Sequence, residues 1–229
     1  MCRSCLSKPG PREADYFCRD CGTPFQNRFP LDEEGRCALC RHGLRGFDAV
    51  YCYGAYGGVL RRLIHLFKYQ RVRSLERPLA DYLLRALPRE RRFDAIVPVP
   101  LNWRRRWRRG FNQAELLARR LSRRTGIPVA KALRRPRAAA PQAGLTLAAR
   151  RHNIQTGTFI AAAPVAGQSI LLLDDVFTTG STATACALAL KRAGAARVSV
   201  LTVARADRRW EPLPPPPAGM TGGSAGYDE

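Results

Sequence analysis

Long apolar runs are the first thing this chain lacks. No stretch reaches eighteen consecutive apolar residues, the length at which a membrane-spanning helix becomes the reading. The opening residues, MCRSCLSKPG, hold no apolar core of the kind that marks a secretory leader. A cytoplasmic protein with no inserted segment is the expectation. Acids are scarce: 18 Asp and Glu face 39 Lys and Arg, for a formal net charge of +21. Lysine is scarcer still, with only Lys8, Lys68, Lys131 and Lys191. The richness in arginine and alanine reads as a GC-rich coding bias, which explains the choice of base but not its excess over acid. That excess favours polyanionic partners, either nucleic acid or phosphorylated metabolites. No internal repeat occurs beyond paired cysteines. At 229 residues the chain can build one α/β domain and a small module.

Six of the eight cysteines fall in C-x-x-C pairs: Cys2 with Cys5, Cys18 with Cys21, and Cys37 with Cys40. In a reducing compartment such pairs bind metal or stay reduced. Two intervening residues let both thiolates reach one ion, and two such knuckles complete a tetrahedron. Cys18, Cys21, Cys37 and Cys40, with fifteen residues between the pairs, have zinc-ribbon spacing. Cys2 and Cys5 are left without a fourth pair. A four-thiolate site has no open position, so its Zn²⁺ is structural and stabilises a module too small to fold on apolar burial alone. Residues 1–46 are expected to form that module. No thioredoxin-like context surrounds any pair. Cys52 and Cys186 read as small core residues.

The rest reads as alternating strands and helices. A strand, DAVYCYGAY, follows Phe47. Leu60, Leu63, Ile64 and Phe67 make one apolar helical stripe, with Arg61, Arg62, His65 and Lys68 off it. Leu75, Leu79, Leu83 and Leu87 make a second stripe, with Ser74 as its cap. Asp94–Val99 reads as a strand, Gly110–Arg124 as a helix ended by Gly126, and Ile127–Leu133 as another strand. Residues 134–160 are basic and irregular. Strand 170–173, helix 181–193 with Gly194 as its cap, and strand 197–203 form a βαβ unit, which builds parallel sheet. Residues 207–229, containing PLPPPPAGMTGGSAG, are too poor in core formers to pack and are expected to be a disordered tail. The core thus spans 47–206, and the fold class is α/β, a mainly parallel sheet flanked by helices.

The stretch Ile170–Thr182, ILLLDDVFTTGST, carries the chemistry. Its apolar run reads as a buried parallel strand that ends at two carboxylates, Asp174 and Asp175. Thr178, Thr179, Gly180, Ser181 and Thr182 then open a helix. A hydroxyl- and glycine-rich turn at a helix start offers backbone N–H groups and the positive end of the dipole, which suits a phosphate. Carboxylates repel phosphate but accept hydrogen bonds from sugar hydroxyls, so the loop reads as a ribose-5-phosphate site. The alternative is a generic strand–turn–helix whose acids form an N-cap cluster. An acidic metal pocket of the response-regulator kind would need acids near the chain start and a later strand-end Lys, and neither is seen.

The same stretch resembles the phosphoribosyl pyrophosphate (PRPP) signature of type I phosphoribosyltransferases. VPVPL at 97–101, RGFNQAELLA at 109–118, LIHLFKY at 63–69, PQAGL at 141–145 and RRHN at 150–153 extend the resemblance to the ComF family. Its members are phosphoribosyltransferase-like proteins with an N-terminal zinc module, associated with DNA uptake in competent bacteria. The resemblance implies that Asp174 and Asp175 are the catalytic pair and bind the ribose 2′ and 3′ hydroxyls. It implies that Thr178, Thr179, Gly180, Ser181 and Thr182 wrap the 5-phosphate. The loop from Pro100 and Leu101 to Arg104 would face pyrophosphate, supported by Arg109, Asn112 and Gln113. Gln142, Arg150, Arg151 and Asn153 would belong to a flap that excludes water. Mg²⁺ would bridge pyrophosphate and ribose oxygens, held mainly through ligand and water. Lys68 is a ligand-facing candidate, with a solvated face as the alternative, and His65 reads as a polar-face residue. Family members often carry four C-x-x-C pairs, and this chain opens at what corresponds to the second.

Two functions fit. One is phosphoribosyl transfer from PRPP to an acceptor, although no segment clearly supplies a hood for a base. The other is a non-catalytic single-stranded DNA-binding competence factor or PRPP sensor, working with the DNA-uptake machinery. For the second, the run Trp103–Arg109, WRRRWRR, sets aromatic rings among guanidinium groups that stack bases and hold phosphates. That run equally fits a basic loop packed over its own Trp side chains.

Overall fold

A computed structural model of the chain describes residues 16–19, 24–25, 28–29, 31–41, 46–70, 72–101, 107, 110–136 and 159–206. Near the N-terminus, the two-residue strands β1 (Tyr16–Phe17) and β2 (Pro24–Phe25) pair antiparallel, and a short helix α1 (Ala38–Arg41) follows. The core elements are β3 (Ala49–Ala55), α2 (Gly58–Tyr69), α3 (Glu76–Ala86), β4 (Ala95–Pro98) and α4 (Gln113–Thr125). They continue with β5 (Leu133–Arg134), β6 (Ile160–Ala161), β7 (Ser169–Phe177), α5 (Ser181–Arg192) and β8 (Arg197–Arg205). Four strands form one parallel sheet in the order β3-β8-β7-β4.

The apolar run of β7 explains its central place. A strand turns successive side chains to opposite faces, so a strand apolar at every position must be covered on both. Ile170 and Leu172 join a cluster with α5, while Leu171 and Leu173 join a cluster with α2, α3 and α4. All four are fully buried. Leu60, Leu63, Ile64 and Phe67 are the buried face of α2, as their spacing predicts. The cluster on the α5 side also takes in Cys18, Phe25, Cys37 and Cys40. The chain approaches α5 closely at Gly46, where an added Cβ would lie 2.5 Å from the backbone N of Leu188.

Four local expectations are corrected. First, β7 does not stop at the acids: it runs through Asp174 and Asp175 to Phe177, because β8 continues beside it and pairs Asp174 with Thr202 and Phe177 with Arg205. Second, Ser74 is not a helix cap. It sits in a 3₁₀ turn, Arg73–Leu75, and α3 starts behind Leu75 with no side-chain cap. Third, α4 begins at Gln113 rather than Gly110. Gly110 has φ +79°, outside the helical region, and the Asn112 side chain accepts from the N–H of Ala114 as the true cap. Fourth, Ile127–Leu133 is not a strand. Only Val129 bridges to Ile96, since Pro128 has no N–H with which to extend a ladder, and Leu133 instead opens the small hairpin of β5 with β6. The tail at 207–229 lies outside the described residues. Among the described residues, no helix is long and apolar enough to cross a membrane.

Candidate functional site

The carboxyl ends of β4 and β7 open onto one crevice of about 280 Å³. In doubly wound sheets this edge is where ligands sit, because the loops there are released from the packing below. Asp174, Asp175, Thr178 and Thr182 line it from the β7 side. Pro100 and Leu101 line it from the end of β4, Asn112 and Gln113 from the start of α4, and Lys68 from the end of α2.

Alternation along β7 separates the two acids. Asp175 shares parity with Leu171 and Leu173 and lies toward α2; Asp174 shares parity with Ile170 and Leu172. Asp175 is 8 % exposed, and its Oδ1 lies 2.8 Å from the Lys68 ammonium. Burial disfavours the charge on Lys68, but Asp175, with Asp174 behind it, outweighs burial and holds the lysine pKa above its ordinary value. Lys68 is therefore a permanent cation inside the crevice at neutral pH. Asp174 is half-buried and accepts the N–H of Asp175 at 2.9 Å. Burial, with the Asp174 charge second, pushes the Cys186 thiol well up; that thiol is an inert core group, as its position in the sequence suggests.

The loop beyond Phe177 turns on Gly180. Its φ of +78° is left-handed backbone, which costs other residues energy. Gly180 caps α5 without a side-chain hydrogen bond, and its carbonyl accepts the N–H of Thr184 at 2.8 Å. The N–H groups of the first turn have no partner within the helix, so they face the loop with the positive end of the dipole. Thr179 and Ser181 are exposed, with their hydroxyls 3.0 Å apart. Below the loop lies a chamber of about 30 Å³. Asp174, Thr178, Gly180, Thr182 and Thr202 are among the residues that line it.

The structure thus gathers Lys68, Pro100, Leu101, Asn112, Gln113, Asp174, Asp175, Thr178 and Thr182 at one crevice. Arg109, Arg150 and Arg151, with Gln142, Asn153 and most of the loop after Leu101, lie outside the described residues. Tyr56, Tyr69 and Arg135 also line the crevice and were not singled out by sequence. Tyr56 had a usable signal, since it directly follows the carboxyl end of a strand. His65 is exposed and its ring meets that of Tyr69 at 4.7 Å, tilted by 39°, on the polar face of its helix.

A second cluster forms near the N-terminus. Cys18, Cys37 and Cys40 are buried, with Sγ of Cys40 3.4 Å from each of the other two sulfurs. Four thiolates around zinc stand about 3.8 Å apart, given Zn–S distances of about 2.3 Å. The three sulfurs therefore fit three corners of a thiolate tetrahedron and could hold a metal ion. Cys21, the expected fourth ligand, lies outside the described residues, as do Cys2 and Cys5.

These features define a class: an α/β protein with a carboxylate-and-hydroxyl crevice at the carboxyl edge of a parallel sheet and a buried cysteine cluster beside it. No family model matches the chain. It is 35 % identical over 197 residues to the DNA utilization protein YhgH of Escherichia coli O157:H7, covering 82 % of this chain and 84 % of that protein. It is 33 % identical over 199 residues to competence protein F of Haemophilus influenzae, covering 83 % and 85 %. Competence protein ComFC of Bacillus subtilis is 26 % identical over 216 residues, covering 90 % and 84 %. The chain belongs to the ComF family of competence proteins.

Among solved structures, the glutamine PRPP amidotransferase of B. subtilis aligns with TM-score 0.42 and 22 % identity, over 56 % of this chain and 26 % of that one. The purine phosphoribosyltransferase of Pyrococcus horikoshii aligns with TM-score 0.30 and 17 % identity, over 65 % and 92 %.

Proposed function

We propose that this chain binds PRPP with Mg²⁺ in the crevice at the carboxyl edge of the sheet and transfers its phosphoribosyl group to an acceptor. The observation that carries this reading is the run from Asp174 to Thr182. Two carboxylates near the carboxyl end of a buried strand lead, through Val176 and Phe177, into a hydroxyl loop that turns on Gly180 and opens a helix. The 5-phosphate takes the first-turn N–H groups of α5 and the hydroxyls of Thr178 and Thr182. Asp174 and Asp175 accept from the ribose hydroxyls. Lys68, paired with Asp175 at 2.8 Å, is a fixed cation within the crevice for the pyrophosphate. In transfer, the bond from C1′ to the pyrophosphate oxygen breaks, the acceptor's nucleophile bonds to C1′, and pyrophosphate leaves. Mg²⁺, when bound, would supply positive charge to the departing pyrophosphate, and the carboxylates of Asp174 and Asp175 would help to hold its water shell.

The thiolates of Cys18, Cys37 and Cys40, with Cys21, hold a structural Zn²⁺ in this reading. The relatives named for competence and for DNA utilization support extending it to a role in DNA uptake; a cytoplasmic site of action belongs to the same reading. A second reading, binding of single-stranded DNA without transfer, is favoured by the net charge of +21 and by Trp107, 86 % exposed within an arginine run.

Titration calorimetry with PRPP and Mg²⁺ tests the first reading. Binding to the wild-type chain, lost in the Asp174→Ala/Asp175→Ala variant, supports it, and pyrophosphate release on adding candidate bases establishes turnover. DNA binding unchanged in that variant, with no PRPP bound by the wild type, sinks it. The second reading requires a DNA affinity that falls steeply with salt, since several phosphate contacts release counterions.

A further inference from the structure

Arg205 ends β8 and is 8 % exposed, a guanidinium that folding has taken out of water. Two aromatic rings cover it. Its guanidinium carbon lies 5.3 Å from the ring centroid of Phe25 and 5.1 Å from that of Phe177, both within cation–π range. The two rings belong to different parts of the molecule. Phe25 lies in β2, paired with β1, which leads directly into Cys18. Phe177 is the last residue of β7, and Thr178 of the ligand loop follows it. Phe47 closes the stack, edge-on to Phe177 at 5.9 Å. The backbone of Arg205 serves the same region, since its carbonyl accepts the N–H of Tyr56 at 2.7 Å and Tyr56 lines the crevice. Phe177 lines the chamber beneath the loop.

We propose that Arg205 is a positioning residue for the Thr178–Thr182 loop and couples it to the cysteine cluster, so that metal bound there and ligand bound at the loop strengthen each other. The proposal rests on the PRPP reading above. Strands of two residues cannot hold a hairpin alone, so the metal fixes where Phe25 sits. Phe25 fixes one face of Arg205, and Arg205 fixes Phe177 and the start of the loop. A planar cation suits this place, because a guanidinium stacks on two rings at once where an ammonium does not.

Coupling between two sites is reciprocal, so a ligand at the loop must tighten the metal. The full chain loaded with Zn²⁺ is titrated to equilibrium against a chromophoric chelator, with Mg²⁺ throughout, with and without saturating PRPP. PRPP is expected to raise the zinc affinity by about fivefold or more. Arg205→Met and Phe25→Leu are each expected to bind one zinc per chain yet lose that gain. Either variant suffices should the other fail to fold. Equal zinc affinities in the wild type, with PRPP binding confirmed by calorimetry, overturn the coupling alone. The full gain in both variants overturns the role of Arg205. Absence of PRPP binding overturns both the PRPP reading and the coupling built on it.

Discussion

The two halves of β7 are built from one strand and do opposite work. Ile170–Leu173 are apolar, fully buried and covered on both faces. Asp174–Phe177 continue the same ladder beside β8, yet they carry two carboxylates and end at an exposed hydroxyl loop. The lower half pairs with both β4 and β8, whereas the upper half pairs with β8 and the Asp175 N–H turns to the Asp174 side chain; what covers the side chains changes as well. The lower half holds the fold together, and the upper half uses that rigidity to hold polar groups at fixed positions. A site carried on a strand end inherits the strand's stability.

Substitutions in each half sharpen this contrast. Leu172→Ala is expected to have the largest effect on folding, about 4 kcal/mol in chemical denaturation, since it opens a cavity in a fully buried layer. At temperatures where the variant stays folded, its PRPP affinity should be unchanged. Asp175→Ala comes next, at about 3 kcal/mol, because it leaves the Lys68 ammonium buried without its partner. PRPP affinity should fall with it. Asp174→Asn should separate the two roles. An amide oxygen still accepts the N–H of Asp175, so stability should stay within about 0.5 kcal/mol of wild type. Calorimetric PRPP affinity should drop by roughly tenfold or more, a loss of about 1.4 kcal/mol. A strong stability loss in Asp174→Asn, or an affinity loss in Leu172→Ala, breaks the division.

The smallest effect is with pH. Folding raises the pKa of Lys68, so the stability from its pairing with Asp175 is complete below the ordinary lysine value of 10.5 and is lost as pH climbs through the raised value. Denaturation midpoints from pH 7 to 9 should therefore show no pH dependence arising from this pair, whose contribution is at its full value there. The difference between wild type and Lys68→Met should narrow only above that range.

Much of this was legible in the chain, for reasons that differ by region. The stripe of Leu60, Leu63, Ile64 and Phe67 is pure periodicity, and α2 buries those four residues. The βαβ unit of β7, α5 and β8 could be read because Ile170–Leu173 are apolar without a break, β8 is rich in valine, and Gly194, with φ +91°, stops the helix. The extent of β7 could not be read. Acids look like a strand end, and only the partner strand β8 shows that the ladder continues through them. The opposite facing of Asp174 and Asp175 follows from that same extension. The ion pair of Lys68 with Asp175 joins residues 68 and 175 through the packing of α2 on the sheet, which no local pattern encodes. The contact of Arg205 with Phe25 and Phe177 was hidden for the same reason.

The most direct test of the central claim is a crystal structure of the full chain with PRPP and Mg²⁺. The 5-phosphate is expected within hydrogen-bond distance of the N–H groups of residues 181–183, with the ribose hydroxyls on Asp174 and Asp175. PRPP seated elsewhere on the molecule, or bound with its phosphate turned away from the Gly180 loop, would contradict it.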